Sequence, residues 1–314
     1  MRFGAAALGA AALVAALAGC GDGGGGDGGG PHVRAVDLRA VRAVPDDVAD
    51  AGTFSFEMTT TYLLGRIGGV GVTFGGSVDV DADRAALEAD VTDFVTEFLI
   101  PISQAGRGPS PVDEPTEPVI VPIVVDGDVG YADLTALEEL APNDQRRADG
   151  RRWVRFGAED VGVEGSPFAA ITRLANPEGI LALLGAATGD VETVGEDEVR
   201  GEPATHVQTT IDLAAARDQG PDGEWPMLDA LAGEGDSRID TVPVDLWIGE
   251  DGLLRRFRVE VEREAAARTN APDGPPVAAD AVGTIGSLTY EAFDYGEPVD
   301  VEVPDPDDVT DPPR

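Results

Sequence analysis

Cys20 is the one thiol of the chain, and its setting suits it to acylation. It closes Leu17-Ala18-Gly19-Cys20 behind an N-terminal stretch in which Arg2 supplies a positive charge and residues 3–16 are uncharged Phe, Gly, Ala, Leu and Val. A bilayer-spanning helix needs about 20 apolar residues, so residues 1–19 read as a signal peptide. A cysteine after small residues at the end of such a signal fits the pattern in which the thiol is acylated and cleavage leaves it as the new N-terminus. Cys20 has no intrachain disulfide partner, so acylation accounts for it where packing does not. Two or more acyl chains on one residue hold a protein to a membrane stably. The sequence therefore predicts a lipid anchor at Cys20 on the extracytoplasmic face of the cell membrane.

The other residues that could do chemistry lead nowhere comparable. Residues 21–30 are glycine with two aspartates, but no Lys-Ser or Lys-Thr follows, as a phosphate loop requires. Residues 20–32 read instead as the acylated cysteine and a flexible tether. Of two histidines, His32 lies in that tether and His206 in a predicted strand, where a structural role is expected. Too few soft ligands remain for a zinc site, and no nucleophile elbow, His-Glu-x-x-His or dinucleotide fingerprint occurs. Asp79, Asp81 and Asp83 alternate with Val80 and Ala82, which places them on the wet face of one strand. They lack the glycine and distal glutamate of a calcium loop, and Asp305, Asp307 and Asp308 in the tail are no better placed. Glycosidase-like carboxylate pairs are defined by spacing in three dimensions, and the sequence singles none out. The expectation is no catalytic residue, no metal, no cofactor and no enzymatic activity.

Charge narrows the partners. The 314 residues carry 22 basic and 59 acidic side chains, a formal net charge of −37, and every basic residue is arginine. Such a surface repels nucleic acid and bare anionic headgroups. A hydrophobic fraction of 42% is ample for a core, so the acidity decorates a folded domain, residues 33–314.

What must position any site is a large sheet. Phe54, Phe56, Met58, Thr60 and Tyr62 alternate with polar residues, as do Val70, Val72, Phe74, Val78 and Val80. Period-two alternation marks antiparallel strands with one dry and one wet face. Residues 84–91, 119–125, 129–134, 206–213, 242–248, 254–262 and 284–293 continue the series, with a hairpin turn at Glu250-Asp251-Gly252, for about ten strands in all. Helices are predicted over 33–49, with a break or kink at Pro45; over 168–184, divided at Asn176-Pro177; and, shorter, over 212–217 and 225–231. Residues 104–118 and 269–280 read as exposed loops and the tail from Val303 as extended. Few short helices cover so large an apolar face only if the sheet bends around them. The expected class is α+β: a strongly curved antiparallel half-barrel with helices on its concave side, enclosing an apolar cavity.

The C-terminal half carries a family resemblance. It runs through Val194-Gly195-Glu196-Asp197-Glu198-Val199-Arg200-Gly201, Thr205-His206-Val207 and Ile211-Asp212-Leu213. It continues through Val242-Pro243-Val244-Asp245-Leu246-Trp247-Ile248 and Asp251-Gly252-Leu253-Leu254-Arg255-Arg256-Phe257. Phe293-Asp294-Tyr295-Gly296-Glu297-Pro298-Val299 and Val303-Pro304 close it. This resembles the lipid-binding lipoproteins of actinobacteria known as the LppX/LprG group, on the fold also used by the LolA and LolB carriers. The resemblance implies an eleven-stranded half-barrel with an apolar cavity, and binding of a lipid or glycolipid for carriage across the envelope. The acidic surface and the acidic, Pro-rich stretch 104–118 depart from the group. The same fold also serves envelope-stress sensors that bind proteins, which leaves an envelope transporter or a sensor partner as alternatives.

Lipid binding has a physical case of its own. Each buried methylene contributes about 0.8 kcal/mol, so no catalytic group is needed. The expected lining is Phe54, Phe56, Met58, Phe74, Leu246, Phe257 and Val259 on the sheet, with Ile180, Leu181 and Leu184 on a helix; packed core is the competing reading for each.

Overall fold

A computed structural model describes residues 36–63, 69–104, 114–127, 129–140, 150–157, 177–219, 231, 239–261 and 284–310. Its strands are β1 (Thr53–Leu63), β2 (Gly69–Asp79), β3 (Arg84–Asp90), β4 (Ile120–Asp126), β5 (Val129–Asp133), β6 (Trp153–Gly157), β7 (Ala187–Val199), β8 (Glu202–Asp212), β9 (Thr241–Ile248), β10 (Leu254–Glu260), β11 (Thr284–Phe293) and β12 (Val309–Thr310). They form one open sheet in the order β12-β6-β5-β4-β3-β2-β1-β11-β10-β9-β8-β7. Two meanders, β1 to β6 and β7 to β11, meet where β1 pairs with β11. All pairings are antiparallel except that of β12 with β6. The result is the α+β half-barrel expected from the alternation, with the helices gathered on one face.

The described helices are α1 (Leu38–Ala51), α2 (Thr92–Phe94), α3 (Ile100–Gln104), α4 (Thr135–Leu140), α5 (Pro177–Gly185) and α6 (Leu213–Gln219). A π turn, Val95–Leu99, joins α2 to α3. Asp37 caps α1 by accepting from the Ala40 amide at 2.9 Å, and Gly52 ends it at φ 77°. Of the break or kink expected at Pro45, the break does not occur: α1 runs through it. Its buried face of Val41, Val44 and Val48 contributes about 1.5–3 kcal/mol per side chain, against about 3 kcal/mol for an interior proline. The Arg42 guanidinium donates twice to the Ala187 carbonyl, at 2.9 and 2.6 Å, tying α1 to the start of β7. Helix contacts with the sheet concentrate on β2, β4, β7, β8 and β9.

Other expectations are corrected. Asp81 and Asp83 lie in the β2–β3 turn, not on a strand, and Asp79 Oδ1 accepts from the Ala82 amide at 2.9 Å. A short polar side chain closing a turn explains these aspartates locally. Residues 92–104 are helical although no element was expected there; Asp90 starts them by accepting from the Thr92 amide and hydroxyl at 3.0 and 2.6 Å. Asp133 repeats this device at Thr135, with the same two distances. The tail is not simply extended. Asp305 caps a 3₁₀ turn, Pro306–Asp308, and Asp308 accepts from the Arg152 amide at 3.1 Å, guiding β12 onto β6. The first half of the helix expected over 168–184, most of that over 225–231, the loop 269–280, His32 and Cys20 lie outside the described residues.

A concave apolar face and an outer polar row

Register aligns the inward side chains into rows that cross the strands. One row runs Val121, Ala89, Phe74, Met58, Tyr290, Phe257, Leu246, Val207, from β4 through β3, β2, β1, β11, β10 and β9 to β8. The next runs Val72, Thr60, Leu288, Val259, Val244, Thr209. Every one of these residues is buried. The ten residues expected to line a lipid site are brought together: all are buried members of one hydrophobic cluster. On α5, Ile180 and Leu184 are fully enclosed, whereas Leu181 keeps 8% exposure at the margin. A separate cleft of about 250 Å³ lies beside α1 and the β9–β10 turn, lined by Val36, Arg39, Ala40, Asp47, Ile248 and Gly252 among others; none of the ten belongs to it.

Sequence reasoning left Tyr290 and the functional weight of Thr60 unread. Both stand in the middle of these rows, at 0% and 1% exposure, and neither hydroxyl has a hydrogen-bond partner among the described residues. The Tyr290 ring stacks on Phe56 at 5.8 Å. Burial pushes the Tyr290 phenol well above its ordinary value, so it stays a neutral donor. Thr60 was visible in the alternation of β1; a polar residue in an apolar series was the available signal.

The opposite face carries charge. Glu57, Glu291, Arg256, Trp247 and His206 follow one another across β1, β11, β10, β9 and β8. Glu57 and Glu291 stand directly opposite, an unfavourable like-charge pair that arginines relieve. Arg256 donates to Glu291 Oε1 through Nε at 2.8 Å and Nη2 at 2.7 Å, and Arg200 donates to Oε2 at 2.7 Å. Arg200 sits in the β7–β8 turn at φ 52°, lies 4.0 Å over the Phe293 ring and reaches Glu57 at 3.3 Å. It draws the hairpin tip across the outer face, where Val199, Ala204 and Trp247 make a second small cluster. Trp247 Nε1 donates to Asp197 at 2.9 Å; His206 stacks on its ring at 4.2 Å and donates through Nε2 to Asp245 at 2.7 Å. The structural role expected of His206 is what these contacts describe. Among the described residues no group of three or more His, Cys, Asp or Glu is placed to hold a metal.

This outer row predicts an acid-sensitive contact. Burial raises the Glu291 carboxyl, but hydrogen bonds and charge from Arg256 and Arg200 outweigh it and hold it below the usual range. A lowered carboxyl stabilises the fold above its ordinary titration range, and that stabilisation is lost as pH falls through the lowered value. Arg256→Ala should therefore cost about 2 kcal/mol at neutral pH. In urea melts the gap from wild type should narrow on acidification to what the Arg256 contact with the Trp247 ring, 5.0 Å away, contributes; a gap constant with pH would refute the assignment.

No protein-family model matches the chain. A stretch of 116 residues is 35% identical to an uncharacterised 31.2 kDa protein of the rplA–rplJ intergenic region of Streptomyces griseus, covering 33% of this chain. The chain spans 36% of that relative's length. Among solved structures it is similar to the lipoprotein LppX of Mycobacterium tuberculosis, at 16% identity and TM-score 0.45, over 84% of this chain and 97% of that one. It is similar also to LprF of Mycobacterium bovis, at 14% identity and TM-score 0.44, over 85% and 96% of the two chains.

Proposed function

We propose that this chain is a lipoprotein, anchored through Cys20, that binds a lipid or glycolipid against the concave face of its half-barrel and carries or presents it across the cell envelope. The observation that supports this reading is the pair of long, mainly apolar rows crossing the sheet, which form one continuous cluster with Ile180, Leu181 and Leu184. Acyl chains gain about 0.8 kcal/mol per buried methylene there without any catalytic group. Ile180, Leu181 and Leu184 on α5 supply the helical side of the site. The Leu17-Ala18-Gly19-Cys20 sequence behind the apolar stretch 3–16 is what supports attachment through Cys20. A regulatory lipoprotein docking a protein partner would combine a filled core with an exposed apolar patch. The ten candidate residues are buried, and Val194, at 53% exposure, is the one large apolar side chain left exposed among the described residues.

The test is gentle purification followed by solvent extraction and mass spectrometry. Stoichiometric lipid or glycolipid is the expected result, with Leu181→Asp reducing it while the circular dichroism spectrum stays native. A lipid-free protein that also fails to take up a fluorescent acyl probe would overturn the reading.

A further inference from the structure

The two ends of the sheet are guarded differently. β7 carries carboxylates, and its register with β8 shifts twice, both of which keep an edge from pairing with other chains. β6, but for the two residues of β12, would be the opposite edge. It pairs with β5 over all five residues without a shift, and no Pro, Asp or Glu occurs in it. Among the described residues its outer side is met by β12 alone, in parallel, at Trp153 and Val154. β12 ends an acidic strap. At its start the Gly296 amide donates to the Thr53 carbonyl at 2.9 Å and the Thr53 hydroxyl donates to the Glu297 carbonyl at 2.7 Å. From there to Asp305 the strap makes no backbone hydrogen bond to another described residue. Residues 300–311 hold six carboxylates and no base.

The strap lands on arginines. Arg151, Arg152 and Arg155 place three of the chain's 22 basic residues within five positions. The Arg152 amide donates to Asp308 Oδ1 at 3.1 Å, and Arg151 Nη1 donates to the Val309 carbonyl at 2.7 Å. Pro304 and Pro306, which lack amide hydrogens, keep the ladder short. A cover of two ladder residues opens by local unfolding far more readily than the sheet beneath it. What can replace it is selected by charge: the arginines repel a basic strand and attract an acidic one, while the edge offers backbone bonds to any extended chain. We infer that the outer edge of β6 is a strand-addition site for an extended acidic segment of a partner protein, and that the chain's own tail fills it as an autoinhibitory strap. The tail displays the chemistry of that partner: carboxylates beside a short ladder, set parallel to β6. Because the tail is tethered, it competes at an effective concentration of about a millimolar. The site lies apart from the concave face and is independent of what that face binds.

The probe is a fluorescein-labelled peptide of residues 303–314, its binding to the full chain read by anisotropy. In the protein, Asp308→Lys with Thr310→Pro removes the acceptor for the Arg152 amide and one ladder amide while leaving β6 itself unchanged. The variant should bind the peptide at least about tenfold more tightly than wild type, whose site is open only for the fraction of time that the tail is released. A peptide with asparagine in place of Asp305, Asp307 and Asp308 should bind the variant more weakly, and added salt should narrow that difference. Equal binding by wild type and variant would overturn the autoinhibition. A variant with a native circular dichroism spectrum that binds neither peptide, or both alike, would overturn the site. In wild type, which needs no variant, saturating peptide should speed hydrogen exchange over residues 305–310; unchanged exchange would likewise overturn the site. Dimers of wild type seen by light scattering and lost in the double variant would overturn the partner assignment in favour of a second copy of this chain.

Discussion

Gly76→Ala should destabilise the protein by about 3 kcal/mol, at the upper end of what overpacking costs. A Cβ at Gly76 would fall 2.2 Å from the Ala86 carbonyl oxygen and 2.7 Å from the Leu87 Cα. Both are backbone atoms of β3, the strand hydrogen-bonded to β2, so no side-chain rotation relieves the contact. Relief requires β2 and β3 to part, at the expense of the ladder that pairs Gly76 with Leu87. Gly76 also faces Phe56 across the β1–β2 pairing, so the parting would loosen the concave face itself. Glycine in a strand is otherwise a weakness, and its presence in the middle of β2 reflects this close approach. Gly75→Ala is the control, because a Cβ there meets only the Phe56 carbonyl oxygen at 3.8 Å. Urea unfolding of the two variants should separate them by at least about 2 kcal/mol; equal midpoints would show that the strands are not held as closely as described.

The concave half of the molecule was legible because burial on one face leaves a period-two record. Phe54, Phe56, Met58 and Thr60 share one face of β1 by period-two alternation, and the inward residues of β2, β9 and β10 follow from the same rule. β7 left no such record. It is an edge strand, exposed along most of its 13 residues, and its register with β8 shifts twice. Bulges and carboxylates are how an edge avoids pairing with other chains, and they erase alternation. β12 was missed because 2 residues are too few to show a period, and β6 because Trp153, Val154, Arg155 and Phe156 are all half-buried, leaving no dry face to alternate with a wet one. The candidate site divides the same way. Its apolar members followed from periodicity, but the importance of Tyr290 depends on having no partner, which is a property of space alone. The outer row was likewise hidden, since Arg200 meets Glu291 from 91 residues away, across a hairpin that nothing local announces.

Phe257→Ala asks how tightly the concave face is packed, and the size of its effect distinguishes two states of that face. Phe257 sits between Tyr290 and Leu246 in the longest apolar row, with 1% of its surface exposed. A ring enclosed on all sides loses its transfer energy and leaves a cavity when truncated, for about 3–5 kcal/mol. A ring lining an open lipid chamber loses contacts on one side only and should cost much less. The burial of Phe257 together with Met58, Leu246 and Val259 places it in the first category, so without lipid a loss of about 3–5 kcal/mol is expected in urea melts. Lipid binding then requires that packing to open, and a ligand stabilises whichever state binds it in proportion to its excess over Kd. Saturating dipalmitoylglycerol should therefore restore a larger share of stability to Phe257→Ala than it adds to wild type, because the truncated face already holds room for a chain. A loss below about 1 kcal/mol without lipid would contradict the enclosed core and place Phe257 on the wall of a standing chamber.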